Sequence, residues 1–133
     1  MSAPRFSDGK ENRMDITQTN LRYLLAVYEL MGSHTGVAAV EVSRRMGVSK
    51  PSVTRMLGVL AQRGLLAKEP YGKVRLTERG ALLAQEYAAC VDMVQHRLPL
   101  LEPCLSDSET AELACVLAAA LPAHVRRVLC ARA

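Results

Sequence analysis

The sequence predicts a mainly α-helical chain with one small β-hairpin, and three observations predict it. Half of the 133 residues are hydrophobic, with no Trp and a single Phe, a composition that favours helix-on-helix packing over an aromatic-rich sheet. Apolar residues recur at helical spacing over most of the chain, and alternation replaces that spacing only around residues 65–76. Capping and breaking residues then divide the chain into pieces of helical length. One compact domain, or a small domain with an assembly extension, exhausts this length.

Residues 1–18 form an arm, because Met1 to Asp15 is polar with almost no apolar periodicity. Thr19 or Asn20 is positioned to cap a first helix whose Leu21, Leu24, Leu25, Tyr28 and Met31 share a face, ending at Gly32-Ser33. A second helix fits Ala38 to Met46, with Val37, Val40 and Met46 toward the core and Glu41, Arg44 and Arg45 outward; Gly47 supplies the left-handed turn after it. Ser49 caps a third helix and Pro51 lies in its first turn, where the missing N–H is harmless. Val53, Met56, Leu57 and Leu60 make its buried stripe, leaving Lys50, Ser52, Thr54, Arg55 and Gln62 off it.

Gly64 stops the third helix, and Leu65 to Lys68 and Val74 to Leu76 form a hairpin around Glu69 to Lys73. Thr77 caps a long helix to about Leu98, where Pro99 blocks continuation. Ser106-Asp107-Ser108-Glu109 is a capping box that opens an Ala- and Leu-rich helix to about Leu121, and after Pro122 a last helix carries Val125, Val128 and Leu129. The Ala-rich face is suited to close packing against a second copy, which predicts a homodimer. The order helix, helix, tight turn, helix, hairpin is a winged helix-turn-helix over residues 19–80, followed by a connecting helix and helical dimerisation region over 81–133.

Charge is divided between these regions. Residues 34–80 hold nine Lys and Arg against three Glu, a net +6, whereas residues 81–125 hold one Arg against six acids, a net −5. A basic reading module with a separate assembly region has this distribution, and the partner it implies is double-stranded DNA. The third helix fits the major groove, so Ser49, Lys50, Pro51, Ser52, Thr54 and Arg55 are the candidate contacts. Arg55 is the expected base reader, through two hydrogen bonds to guanine. On the wing, Lys73 and Arg75 alternate with inward-facing Val74 and Leu76 and so share the face expected to meet phosphate. No apolar run reaches the ~20 residues of a membrane span and the first residues are not signal-like, so a cytoplasmic location is expected. Cys90, Cys104, Cys115 and Cys130 contain no Cys-x-x-Cys pair and read as thiols.

Three stretches carry a family resemblance: Tyr23 to Leu30 in the first helix, Val48 to Leu57 in the third, and Leu76-Thr77-Glu78-Arg79-Gly80 after the wing. In these the chain resembles the iron- and manganese-dependent repressors related to the diphtheria toxin repressor, more weakly as far as Leu129. The resemblance implies a homodimeric repressor and a divalent manganese or iron ion held between the first, connecting and dimerisation helices. The ligand positions it implies fall on Arg22 and Leu25, near Val91 and Gln95, and on Cys115, Ala118 and Ala119. Of these Cys115 alone is a good donor. Asp92 and His96, four residues apart on one helix face, and Cys90 are the other candidate ligands, with Cys104 and Glu102 nearby in sequence and Met14 or Asp15 in the arm.

The rival resemblance is to the multiple-antibiotic-resistance regulators, on Leu105 to Glu109, which would imply control by a small ligand or thiol redox. A protein-docking winged helix without DNA binding is the reading from another class. Catalysis has no foothold, since the sequence lacks a nucleophile elbow, a metal-hydrolase helix motif and a glycine-rich phosphate loop.

Overall fold

The structure, a computed structural model, describes residues 16–33 and 35–131. Helix α1 (Gln18–Leu30) is capped by Thr17, whose hydroxyl accepts from the Asn20 N–H at 3.2 Å, and not by Thr19 or Asn20. The start is earlier because Ile16 is itself buried, so the chain is anchored ahead of the periodic stripe. Leu21, Leu24 and Val27 carry that stripe into the core, and a 3₁₀ turn over Met31–Ser33 follows.

A two-residue strand β1 (Val37–Ala38) precedes α2 (Ala39–Met46). Because Val37 belongs to the strand it does not set the phase of the helix, and the α2 core residue is Val42, with Val40 exposed where the sequence placed it inward. Gly47, at φ 68°, ends α2 by donating to the Ser43 carbonyl at 2.9 Å, while the Ser43 hydroxyl donates to the Val48 carbonyl at 2.5 Å. Helix α3 (Lys50–Gln62) then buries Val53, Leu57 and Leu60.

The hairpin strands are β2 (Leu66–Lys68) and β3 (Lys73–Leu76), and β1 adds to β3 to give a three-stranded antiparallel sheet in the order β1-β3-β2. Val37 pairs with Val74, and Leu66 with Leu76. The sheet places Val37, Leu66, Val74 and Leu76 inward in one core with α1 and α3.

Helix α4 (Glu78–Leu101) starts at a crowded joint. The Thr77 hydroxyl accepts from the Gly80 N–H at 3.0 Å and donates to the Gly64 carbonyl at 2.7 Å, and the Thr77 N–H donates to the Leu65 carbonyl at 3.1 Å. A Cβ on residue 80 would lie 1.9 Å from the Leu65 carbonyl oxygen, so only glycine fits. At its far end α4 continues through Pro99 to Leu101, past the expected stop at Leu98. Pro99 lies in the last turn, where its missing N–H removes one helical hydrogen bond, to the carbonyl of the exposed Gln95.

Helices α5 (Asp107–Ala120) and α6 (Ala123–Ala131) fold back on α4, and α5 also touches α1. The Ser106 N–H donates to the Glu109 carboxylate at 3.0 Å and the Ser106 hydroxyl accepts from the Glu109 N–H at 3.1 Å, which holds the Glu109 carboxyl below its ordinary range. Part of the alanine face is used within the chain: Ala114 and Ala118 are fully buried, letting α5 approach its own neighbours, while Leu113, Val116 and Leu117 face outward.

Arg126 of α6 is the unexpected core residue, 2% exposed. Its Nε donates to the Glu86 carboxylate at 2.9 Å, Nη1 donates to the Leu121 carbonyl at 3.3 Å, and the guanidinium carbon lies 3.9 Å from the Tyr87 ring centre. A guanidinium leaves water at reasonable cost only when so enclosed by acceptors and an aromatic face.

Two expectations follow for stability. Gly80→Ala forces α4 off Leu65 and should cost about 3 kcal/mol, lowering the thermal midpoint by roughly 10 °C. Arg126→Leu removes the guanidinium from the half-buried Glu86 and should cost about 3 kcal/mol in denaturant unfolding, whereas Arg126→Leu combined with Glu86→Leu should recover part of that loss.

Candidate nucleic-acid interface

The outer face of α3 is built by its own start signal. The Ser49 hydroxyl accepts from the Ser52 N–H at 3.4 Å and donates to the Ser52 hydroxyl at 2.9 Å, fixing the first turn with Lys50 and Pro51 outward. Thr54 donates its hydroxyl to the Lys50 carbonyl at 3.0 Å. Ser49, Lys50, Pro51, Thr54 and Arg55 are exposed, while Ser52 is half-buried and tied into the cap. Pro51 has no N–H and that of Ser52 is taken, so this N-terminus presents its dipole more than free amides.

The wing carries the alternation read from the sequence: Lys73 and Arg75 exposed, Val74 and Leu76 buried. The two bases differ in availability. Arg75 donates to Glu69 within the hairpin as a partly exposed ion pair. Lys50, Arg55, Lys68 and Lys73 have no ion-pair partner among the described residues.

An open groove of ≈ 590 Å³ runs between α3 and β2, lined by Thr54, Arg55, Gly58, Gln62, Leu66 and Lys68 among others. Gly58 sits mid-helix with nothing within 4 Å of a Cβ built on it, so packing does not require a glycine there. Alanine at that position would favour the helix by about 1 kcal/mol. The absent side chain leaves open space in the groove that Arg55 and Lys68 also line.

At the wing tip Tyr71 has φ 65° and ψ 29°, followed by Gly72 at φ 72°. Two successive left-handed residues suit Asn-Gly, not Tyr-Gly. Tyr71 is nevertheless 99% exposed and regains none of that cost by burial. Sequence reasoning passed over Lys68, Gly58 and Tyr71; the available signals were a base at the strand end, a glycine inside a helical stripe and an aromatic at a turn tip.

The candidate metal ligands are not brought together. Cys90 is buried in the core, Cys115 is half-buried on α5, and Asp92 and His96 are an exposed pair, with the His96 Nδ1 2.7 Å from the Asp92 carbonyl and 3.5 Å from its carboxylate. Cys104 and Glu102 lie at the exposed α4–α5 link, with the Cys104 N–H donating to the Glu102 carboxylate at 3.2 Å. No group of three His, Cys, Asp or Glu that could hold a metal forms among the described residues. Met14 and Asp15 lie outside those residues, as does the side chain of Cys130, and Cys90, Cys104 and Cys115 form no disulfide.

Residues 15–74 match the family described as "Iron dependent repressor, N-terminal DNA binding domain". The chain is 38% identical over 64 residues to the transcriptional regulator MntR of Escherichia coli O6:H1, a match covering 48% of this chain and 41% of that protein. The manganese regulator SloR superposes with a TM-score of 0.69 at 24% identity, covering 83% of this chain and 51% of SloR. IdeR of T. acidophilum gives 0.64 at 19% identity, covering 96% of this chain and 55% of IdeR. At these identities the two structures establish the fold, a winged helix with a helical C-terminal extension.

Proposed function

We propose, from the match of residues 15–74 to the iron-dependent repressor DNA-binding domain, that the whole chain is a homodimeric transcriptional repressor that reads duplex operator DNA. The match to MntR spans less than half of that regulator's length, so the reading rests on this chain's own surface. The observation that carries it is the groove between α3 and β2, lined by Arg55, Gly58 and Lys68, whose two bases have no ion-pair partner among the described residues.

In this reading α3 enters the major groove by its Ser49 end. Arg55 reads a guanine edge, and the Pro51 ring meets a thymine methyl. Ser49, Lys50, Ser52 and Thr54 contact phosphate or neighbouring base edges. Gly58 lets the helix approach the rim of the groove, with Lys68 and Lys73 on the flanking backbone and Arg75 contributing once Glu69 releases it. Tyr71 reaches past them at the tip, and its exposed ring in a strained backbone is explained by contact with DNA. The outward stripe of Leu113, Val116 and Leu117 on α5 is the surface a second copy covers. Two such modules then read half-sites about one helical turn apart. A cytoplasmic, non-enzymatic protein is consistent with this role, and no described helix is long and apolar enough to cross a membrane.

Two experiments test the reading. In gel shifts across a panel of duplexes, Arg55→Ala should flatten the preference among sequences by about 1–3 kcal/mol at one base position. Lys73→Ala should weaken all duplexes alike and reduce the salt slope by about one; unchanged binding in both variants would place the interface elsewhere. Tyr71→Asn should raise the thermal midpoint, because Asn accepts the left-handed turn, while lowering DNA affinity several-fold. Higher stability with undiminished affinity would remove Tyr71 from the interface.

A further inference from the structure

The family that residues 15–74 match implies a divalent manganese or iron ion, and the positions implied for its ligands fall on Arg22 and Leu25, near Val91 and Gln95, and on Cys115, Ala118 and Ala119. These residues do not fit it. Leu25 and Ala118 are built into the hydrophobic core, and Val91 and Ala119 pack against it. Gln95 is exposed on the last third of α4. Cys115 is the one soft donor among them, half-buried on α5 with no other donor from this set beside it. Arg22, at another of these positions, is an exposed residue of α1. A permanent cation where a dication would be held repels it, and a guanidinium has no lone pair to offer.

The helices that such an ion would join are held by other means. The α1–α4–α5 junction is closed by apolar side chains, with Ala114 and Ala118 fully buried. On the other side of α4, Arg126 binds α6 to Glu86 and Tyr87 with a cation that is part of the chain. Both connections form on folding and need no dissolved ion.

We propose that this chain reads DNA without a divalent metal, its C-terminal helices being fixed on the reading module by the dry α1–α4–α5 seam and the Arg126–Glu86–Tyr87 cluster. This rests on the DNA-binding reading above, and the test separates the two. The full chain is used to select sequences from a random duplex pool, in one arm with EDTA and in parallel arms with Mn²⁺ or anaerobic Fe²⁺. The expected result is the same enriched sequence in every arm, with affinities agreeing within about twofold. Enrichment only with metal, or affinity more than about tenfold tighter with it, overturns the proposal and leaves the DNA reading standing. No enriched sequence in any arm overturns the DNA reading itself. A second measurement is independent of DNA. Incubation with MnCl₂ followed by desalting should leave no stoichiometric metal and an unmoved thermal midpoint, whereas one metal per chain with a raised midpoint would overturn the proposal, because a native-state ligand must stabilise the fold it binds.

Discussion

The contact on which the remainder of the molecule depends is the seating of the α4 N-terminus against Leu65. That carbonyl closes the α3–β2 corner, receives the Thr77 N–H at 3.1 Å and lies so near Gly80 that no side chain can stand between them. Gly64 and Leu65 leave α3, Thr77 leaves the wing, and Gly80 lies in the first turn of the long helix. One joint therefore fixes three directions: the exit of α3, the return of β3 and the departure of α4. The spacing of the α3–β2 groove and the placement of the C-terminal helices are both set there. Backbone contact of this kind is stiff, since interiors pack like crystals and not like liquids.

Much of this architecture was legible in the sequence because it is specified locally. Ser49, Gly47, Thr77 and the Ser106–Glu109 box act on their own backbone within a few residues, and a stripe such as Val53, Leu57 and Leu60 needs only helical geometry to declare itself. What escaped is what distant segments decide. Strand β1 is two residues long and exists because β3 offers it an edge. Val42 replaces Val40 in the core because Val37 was claimed by that strand. The alanine face of α5 was correctly recognised as a close-packing surface, yet sequence could not say that its partner is the chain's own α4 and α1.

The same division runs through the functional surface. Ser49, Lys50, Pro51, Thr54 and Arg55 could be placed outward from their position on one capped helix. The different states of Lys73 and Arg75 depend on Glu69 across the turn, which alternation alone does not reveal. Arg126 is the extreme case. By composition it is one more surface base near the end of the chain, and only the enclosure formed by Glu86, Tyr87 and the Leu121 carbonyl makes it a core residue. Gly80 stood in the motif that carried the family resemblance, but its reason is a distance to Leu65 that no motif records.

The open space above Gly58 has a bearing on how such a protein changes over generations. Thr54, Arg55, Gly58 and Gln62 line the open groove, away from the buried Val53, Leu57 and Leu60, and the space above Gly58 is empty. Substitutions on that side alter what the helix meets without disturbing what holds it, so the cost of exploring new binding partners is uncoupled from the risk of unfolding. A duplicated copy of this gene could drift toward a different target through this one vacant methyl-sized position and its neighbours, while the joint at Leu65 and Gly80 stayed under purifying selection.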